Sequence, residues 1–182
     1  MAGILTIWGS ASASSRTAVA AEHVSARLAG AGHEVTRLAV TDLPAHALLR
    51  ADFADPHLRA AIALVERADA VVVASPVYKA AYSGVLKTFL DVLPQFALRG
   101  KAALPLLTGG TPAHVLALEY ALRPVLTSLG ADHVGQGWFV HERFVTMGPG
   151  SDGVLDPEGA APLDAVVDAF AEHLARTVPA TL

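Results

Sequence analysis

Ala70-Val71-Val72-Val73-Ala74-Ser75 is an unbroken run of small and β-branched residues between Asp69 and Pro76. A run that is apolar at every position, instead of alternating, reads as a strand covered on both faces. Similar short runs stand at Ile4 to Trp8, Glu34 to Val40, Ala102 to Leu107 and His133 to Val140, the last weakened by Gly135 and Gly137. Helical spacing lies between and after them, at about Thr17 to Leu28, His57 to Ala68, Val85 to Leu93, Ala113 to Leu129 and Ala160 to Arg176. Pro76 is expected to stop the central strand, and Pro124 to kink the fourth helix. Asp42 to Pro56 reads as a polar connection and Glu142 to Pro157 as an irregular, Gly-rich loop.

The order is therefore βαβαβαβαβα, without repeat or linker, and alternation of this kind implies a parallel sheet flanked by helices on both faces. Five strands favour an α/β, flavodoxin-like, doubly wound sheet over an eightfold barrel, which typically needs about 250 residues. The whole chain, 1–182, is expected to form one such domain, since this length already supports a sizeable core.

Composition narrows the function. There is no cysteine, which excludes a disulfide framework, a thiolate metal site and a cysteine nucleophile. The mean hydropathy of +0.45 raises a membrane reading, yet no apolar run approaches the about 20 residues that a spanning helix needs. Met1 to Trp8 has no basic leader, so a cytoplasmic protein is expected. Thirteen Lys and Arg against 17 Asp and Glu, with no basic cluster, argue against nucleic acid or an anionic membrane as partner.

In an open α/β sheet, ligands bind beyond the carboxyl ends of the strands, where the strand order reverses. That rule selects three loops of unusual composition. Gly9 to Arg16 carries Ser10, Ser12, Ser14 and Ser15, with Arg16 and Thr17 opening a helix. Free N–H groups at a helix start, hydroxyls and a guanidinium suit a phosphate, although a serine-rich N-cap reads the same way. No Gly-Lys-Ser/Thr follows, and Gly9 stands alone, so neither a Walker motif nor a dinucleotide fingerprint is present. Pro76 to Gly84 offers backbone amides beside Tyr78, and Thr108-Gly109-Gly110-Thr111 lets the backbone come close to a ligand. Together the three point to a mononucleotide with an aromatic ring system.

At these loops the chain resembles a known family. Ser75-Pro-Val-Tyr-Lys-Ala-Ala-Tyr-Ser-Gly-Val-Leu-Lys-Thr, with Thr108-Gly-Gly-Thr-Pro-Ala-His and Tyr120-Ala-Leu-Arg-Pro-Val-Leu, is similar to the NAD(P)H-dependent FMN reductases of two-component alkanesulfonate monooxygenase systems. The resemblance spans about Ile4 to Phe139. It implies FMN as flavin, NADPH or NADH as hydride donor, and reduced flavin handed to a partner monooxygenase in sulfur assimilation. The Ala-rich helix around Tyr120, with Pro124 in it, suggests burial against a partner subunit, so a homo-oligomer, dimer or tetramer, is expected. By the same resemblance Ser10, Ser15, Arg16 and Thr17 hold the FMN phosphate, while Pro76, Val77, Tyr78 and Lys79 with Thr108, Gly109, Gly110 and Thr111 line the ribityl and ring parts. Tyr120 matches an inserted tyrosine that turns part of the fourth helix into a π-helix at a subunit interface near the flavin. One departure concerns Gly9-Ser10-Ala11-Ser12, which stands where relatives often carry Gly-Ser-Pro-Arg. Arg16 is then the loop's sole cation, which weakens the case for tight FMN retention.

Hydride transfer between nicotinamide and flavin is the cofactors' own chemistry, so no protein acid or base is assigned. The eight histidines form no metal motif and are expected to be surface or satisfied residues. No GxSxG elbow is present. Asp91 and Glu119 read as solvated, Trp8 and Trp138 as core. Two rivals share the fold: a reductase of quinones, azo dyes or chromate that retains its FMN, and a flavodoxin-type electron carrier, for which a net charge of −4 is mild.

Overall fold

A computed structural model describes residues 1–12, 14–148 and 153–178. The chain runs β1 (Gly3–Trp8), α1 (Arg16–Gly30), β2 (Glu34–Ala39), α2 (Ala45–Arg50), α3 (Pro56–Arg67), β3 (Ala70–Tyr78), β4 (Ala81–Tyr82), α4 (Gly84–Asp91) and β5 (Ala102–Gly109). It continues with α5 (Arg123–Ser128), β6 (His133–Val134), β7 (Trp138–His141), β8 (Val145–Met147), β9 (Gly153–Leu155) and α6 (Pro157–Thr177). The strand order β2-β1-β3-β5-β6 is parallel throughout, with β7 extending the last position and β4 folded back antiparallel on β3. This is the flavodoxin-like, doubly wound sheet that the alternation implied, reversing direction between β1 and β3.

Successive residues of β3 feed two separate cores. Val71 and Val73 pack with Leu58, Val65, Leu86 and Phe89 of α3 and α4, whereas Val72 and Ala74 pack with Ala20, Val24 and Leu28 of α1 and Leu163 and Val167 of α6. Each fully buried Leu or Val contributes about 2 kcal/mol relative to exposure. Helix starts are specified locally: the Asp55 carboxylate accepts from the N–H groups of His57 and Leu58, at 2.8 and 2.9 Å, and Pro56 fills the first turn.

Five local expectations need correction. β3 does not stop at Pro76 but runs on to Tyr78, paired with β5 through Pro76 and Thr108. β1 has already ended at Trp8, opposite Ala74, so a residue without an N–H leaves no ladder partner unpaired on that side. The strand then turns at Lys79 and Ala80, both left-handed at φ 52° and 64°, into the hairpin with β4. The expected helix from Ala113 to Leu129 changes type along its length: a 3₁₀ turn at Pro112–Val115, a π-helical turn at Leu118–Leu122, and then α5, in which Pro124 is the second residue. The fifth strand is split. β5 advances three residues from Ala103 to Leu106 while its partner advances four from Val134 to Trp138, which makes a one-residue bulge at Gly135–Gly137. Gly137 has φ +71°, and a side chain there would meet the Pro105 carbonyl at 2.6 Å. The polar stretch from Asp42 contains α2, and the segment after Glu142 contains a 3₁₀ turn and the β8–β9 pair, whose connection falls outside the described residues.

Candidate active site

The carboxyl ends of β1, β3 and β5 open on one edge, and buried hydroxyls fasten their loops together. The Ser83 hydroxyl donates to the Gly9 carbonyl at 2.5 Å and accepts from the Leu86 N–H at 3.0 Å, capping α4. Ser75 accepts from the Ser83 N–H at 2.8 Å and donates to the Pro76 carbonyl. Gly9 lies flat on the start of α4, where an added Cβ would meet the Leu86 backbone at 2.5–2.6 Å. On the other side the Thr17 and Thr108 hydroxyls share a hydrogen bond of 2.6 Å, which joins the start of α1 to the end of β5. These groups are buried and mutually satisfied, so they fasten the strand ends to the starts of α1 and α4.

They enclose a cleft of about 300 Å³. Ser10, Ser15, Arg16, Thr17, Pro76, Val77, Tyr78, Thr108, Gly109 and Gly110 all line it, so most of the residues singled out in the sequence meet there. Lys79 and Thr111 do not line it. Lys79 sits exposed at the hairpin tip, and the Thr111 hydroxyl accepts from the Ala113 N–H at 3.4 Å, capping the next turn. Several hydroxyls are partly committed: Ser15 caps α1 through the Ala18 N–H at 3.1 Å, and Ser10 accepts from the Ser12 N–H at 3.4 Å. Arg16 is exposed, has no carboxylate partner among the described residues, and is the one cation lining the cleft.

Four further residues line it, Ser12, Ser14, His114 and Glu142, and sequence reasoning gave no role to the last two. The two serines were visible as part of a hydroxyl-rich loop. His114 was expected to be a satisfied or surface histidine, but its Nδ1 is buried without a hydrogen-bond partner, the one such side-chain atom among the described residues. Glu142 follows β7, whose His141 stands in register with Gly109. Its Oε1 comes within 2.6 Å of where a Cβ on Gly110 would be. No local motif announces that neighbour, because sheet register creates it. Asp91 and Glu119 are exposed but paired with Lys87 and Arg123, and Trp8 and Trp138 are half-buried against one core.

Beside the cleft lies a larger, mainly apolar groove of about 720 Å³, lined by Pro112, Val115, Leu118, Glu119, Gln136, Gly137, Trp138, Phe139, His141, Arg143 and Phe144. Tyr120, inside the π-helical turn, is 79 % exposed, and Val115 and Leu116 are also exposed. The polar chemistry is concentrated in the smaller cleft, so that cleft is taken as the reacting site and the groove as its apolar flank. Among the described residues no group of His, Cys, Asp and Glu could hold a metal ion, and no helix is long and apolar enough to cross a membrane.

Residues 2–146 match the model of the NADPH-dependent FMN reductase family. The chain belongs to that family. It is 45 % identical over 148 residues to FMN reductase (NADPH) of Pseudomonas putida, covering 81 % of this chain and 75 % of that protein. It is 44 % identical over 139 residues to FMN reductase (NADPH) of Escherichia coli, covering 76 % and 73 %. The NADH-dependent FMN reductase SfnF of Pseudomonas putida is 30 % identical over 140 residues, 75 % of each chain. Among solved structures, the apo form of an NADH:FMN oxidoreductase (EMOB) superposes with a TM-score of 0.86 at 42 % identity, over 95 % of this chain and 90 % of that one. The protein is accordingly an NAD(P)H-dependent FMN reductase, with FMN as flavin and a reduced pyridine nucleotide as donor. The cleft's chemistry fits FMN. A helix start with hydroxyls and a guanidinium suits the phosphate, and the Gly109–Gly110 backbone and the His114 Nδ1, buried without a hydrogen-bond partner, line the same cleft.

Proposed function

We propose that the FMN reductase works with flavin as a diffusible substrate, binding FMN in this cleft and releasing it reduced to a flavin-dependent monooxygenase of the sulfonate type. When bound, FMN takes a hydride from the nicotinamide of NADPH or NADH. The chain's part is to bind and orient. Ser10, Ser15, Arg16 and Thr17 receive the phosphate at the start of α1; Pro76, Val77 and Tyr78 with Thr108, Gly109 and Gly110 flank the ribityl chain and ring, and Lys79 and Thr111 follow them in the chain. The observation that carries the reading is Arg16, a single exposed cation for a phosphate, in a loop whose hydroxyls are partly spent on its own backbone. A charge-assisted contact of that kind is screened by water and salt, which suits a flavin that comes and goes.

The resemblance of the Ser75–Thr88 and Thr108–Leu126 stretches to reductases of alkanesulfonate systems supports the monooxygenase as recipient. The exposed apolar turn around Tyr120 and the groove beside it support a dimer or tetramer in which a second copy covers the flank of the flavin site and Tyr120 controls access to it. A cytoplasmic setting follows from the reducing cofactors. The test is reconstitution with an alkanesulfonate monooxygenase. Sulfite release that requires this chain, NADPH and FMN together is expected, and a light-scattering mass above that of one chain. A flavin that stays with the protein through gel filtration and supports no sulfite release, or a monomeric mass, overturns the respective part.

A further inference from the structure

The cleft proposed to receive an anionic flavin also holds a carboxylate that has no ion-pair partner among the described residues. Glu142 opens a 3₁₀ turn fixed at its start by the His141 ring, whose Nδ1 accepts from the Arg143 N–H at 3.1 Å. The Glu142 carboxylate forms no hydrogen bond or ion pair with the described residues. Its neighbour Arg143 does not compensate it, because that guanidinium lies over the Phe144 ring, 4.5 Å from the centroid. Oε1 and Oε2 of Glu142 lie 2.6 and 3.6 Å from the Cβ position of Gly110, on the glycine pair proposed above to flank the ring.

We propose that Glu142 makes the site bind reduced FMN more weakly than oxidised FMN, and so drives release of the product. The proposal rests on the placement of the flavin ring beside Gly109 and Gly110. The oxidised ring is uncharged. A hydride brings two electrons and one proton, NAD(P)H becoming NAD(P)⁺, and the ring then carries one negative charge unless it gains a second proton, an equilibrium that lies near neutral pH. The phosphate has the same charge in both states, so the contact of Arg16 with it cancels from the ratio of the two affinities. Glu142 faces the part whose charge changes. At an exposed site, a like-charge pair a few ångströms further apart than contact distance changes an equilibrium about tenfold.

The experiment is an anaerobic titration of the whole protein at pH 8 with oxidised FMN and with chemically reduced FMN, followed by protein fluorescence. Wild type is expected to bind reduced FMN at least about tenfold more weakly. Glu142→Gln is expected to bring the two dissociation constants about tenfold closer, equivalent to a rise of about 30 mV in the potential of the bound flavin. Glu142→Asp, which keeps the charge, is expected to keep the difference, and added salt is expected to shrink it in wild type but not in Glu142→Gln. A purely structural role for Glu142 would move both constants together. A ratio in Glu142→Gln within twofold of wild type overturns the proposal while leaving the flavin site standing, whereas failure of wild type to bind FMN at all overturns the site as well.

Discussion

Gly9 shows how a single residue couples the core to the site. Its Cα faces the Leu86 backbone so closely that a Cβ has no side chain to push aside, and its carbonyl is held by Ser83. Gly9→Ala is expected to destabilise the protein by about 2 kcal/mol and to weaken FMN binding, measured by urea unfolding and flavin titration; a change below about 0.5 kcal/mol, the ordinary range for surface substitutions, would contradict the packing described. The Thr17–Thr108 hydroxyl pair is testable by a double-mutant cycle with valine at each position, where a coupling of about 1 kcal/mol is expected and simple additivity is not. These hydroxyls were legible as a hydroxyl-rich loop and a Gly-rich turn. Their pairing was not, because nothing in the order of residues says which threonine meets which. His114 and Glu142 were missed for the same reason: each is an ordinary residue until the fold brings it beside Gly109 or Gly110.

At the scale of the element, alternation and burial made the strands readable, and their breaks were harder to see. The fifth strand splits because Gly137 must take a left-handed conformation against Pro105, and a side chain from another element then holds the bulge. Arg123 donates to the carbonyls of Val134, Gly135 and Gln136 at 2.8, 2.9 and 3.0 Å, and to the Glu119 carboxylate. Losing this half-buried fork strands three carbonyls, so Arg123→Met is expected to cost about 2–3 kcal/mol in chemical denaturation, and Arg123→Lys to recover little of it, since an ammonium cannot reproduce the fork. Full recovery by lysine would show that charge alone mattered. The sequence placed Pro124 inside one long helix, and there the backbone passes from a π-helical turn directly into α5, Leu122 and Arg123 both being right-handed helical. Helical periodicity does not report such a change of register, and the resemblance to a family with an inserted tyrosine did.

For the whole molecule, two helical layers close on one sheet, and the seam between sheet and α6 carries a titratable contact. The His133 and His173 rings stack with centroids 3.9 Å apart. Burial first, and then His173 and Arg123, hold His133 below its ordinary pKa of 6.5, and burial with the nearby N-terminus does the same to His33. The folded chain therefore binds these protons less readily than the unfolded chain, so stability is full above about pH 6.5 and falls as pH drops through 6.5 toward the folded values. The urea midpoint is expected to be lower at pH 5.5 than at pH 7.5, and His133→Gln to flatten the difference; an unchanged slope in that variant would assign the loss elsewhere. Glu119, held below the usual carboxylate range by its hydrogen bonds from Arg123, adds a loss only in more acid solution, below about pH 4.5. On the sheet's carboxyl edge the same architecture leaves an open cleft lined, among the described residues, by the Arg16 guanidinium and the Glu142 carboxylate, and flavin exchange is the proposal that this cleft carries. The direct test is the rate of NADPH oxidation by purified protein as free FMN is raised from zero. The rate is predicted to be negligible without FMN and to saturate as FMN is added. A yellow protein that gains nothing from added FMN but accelerates with a quinone would contradict the account and make the flavin a fixed cofactor.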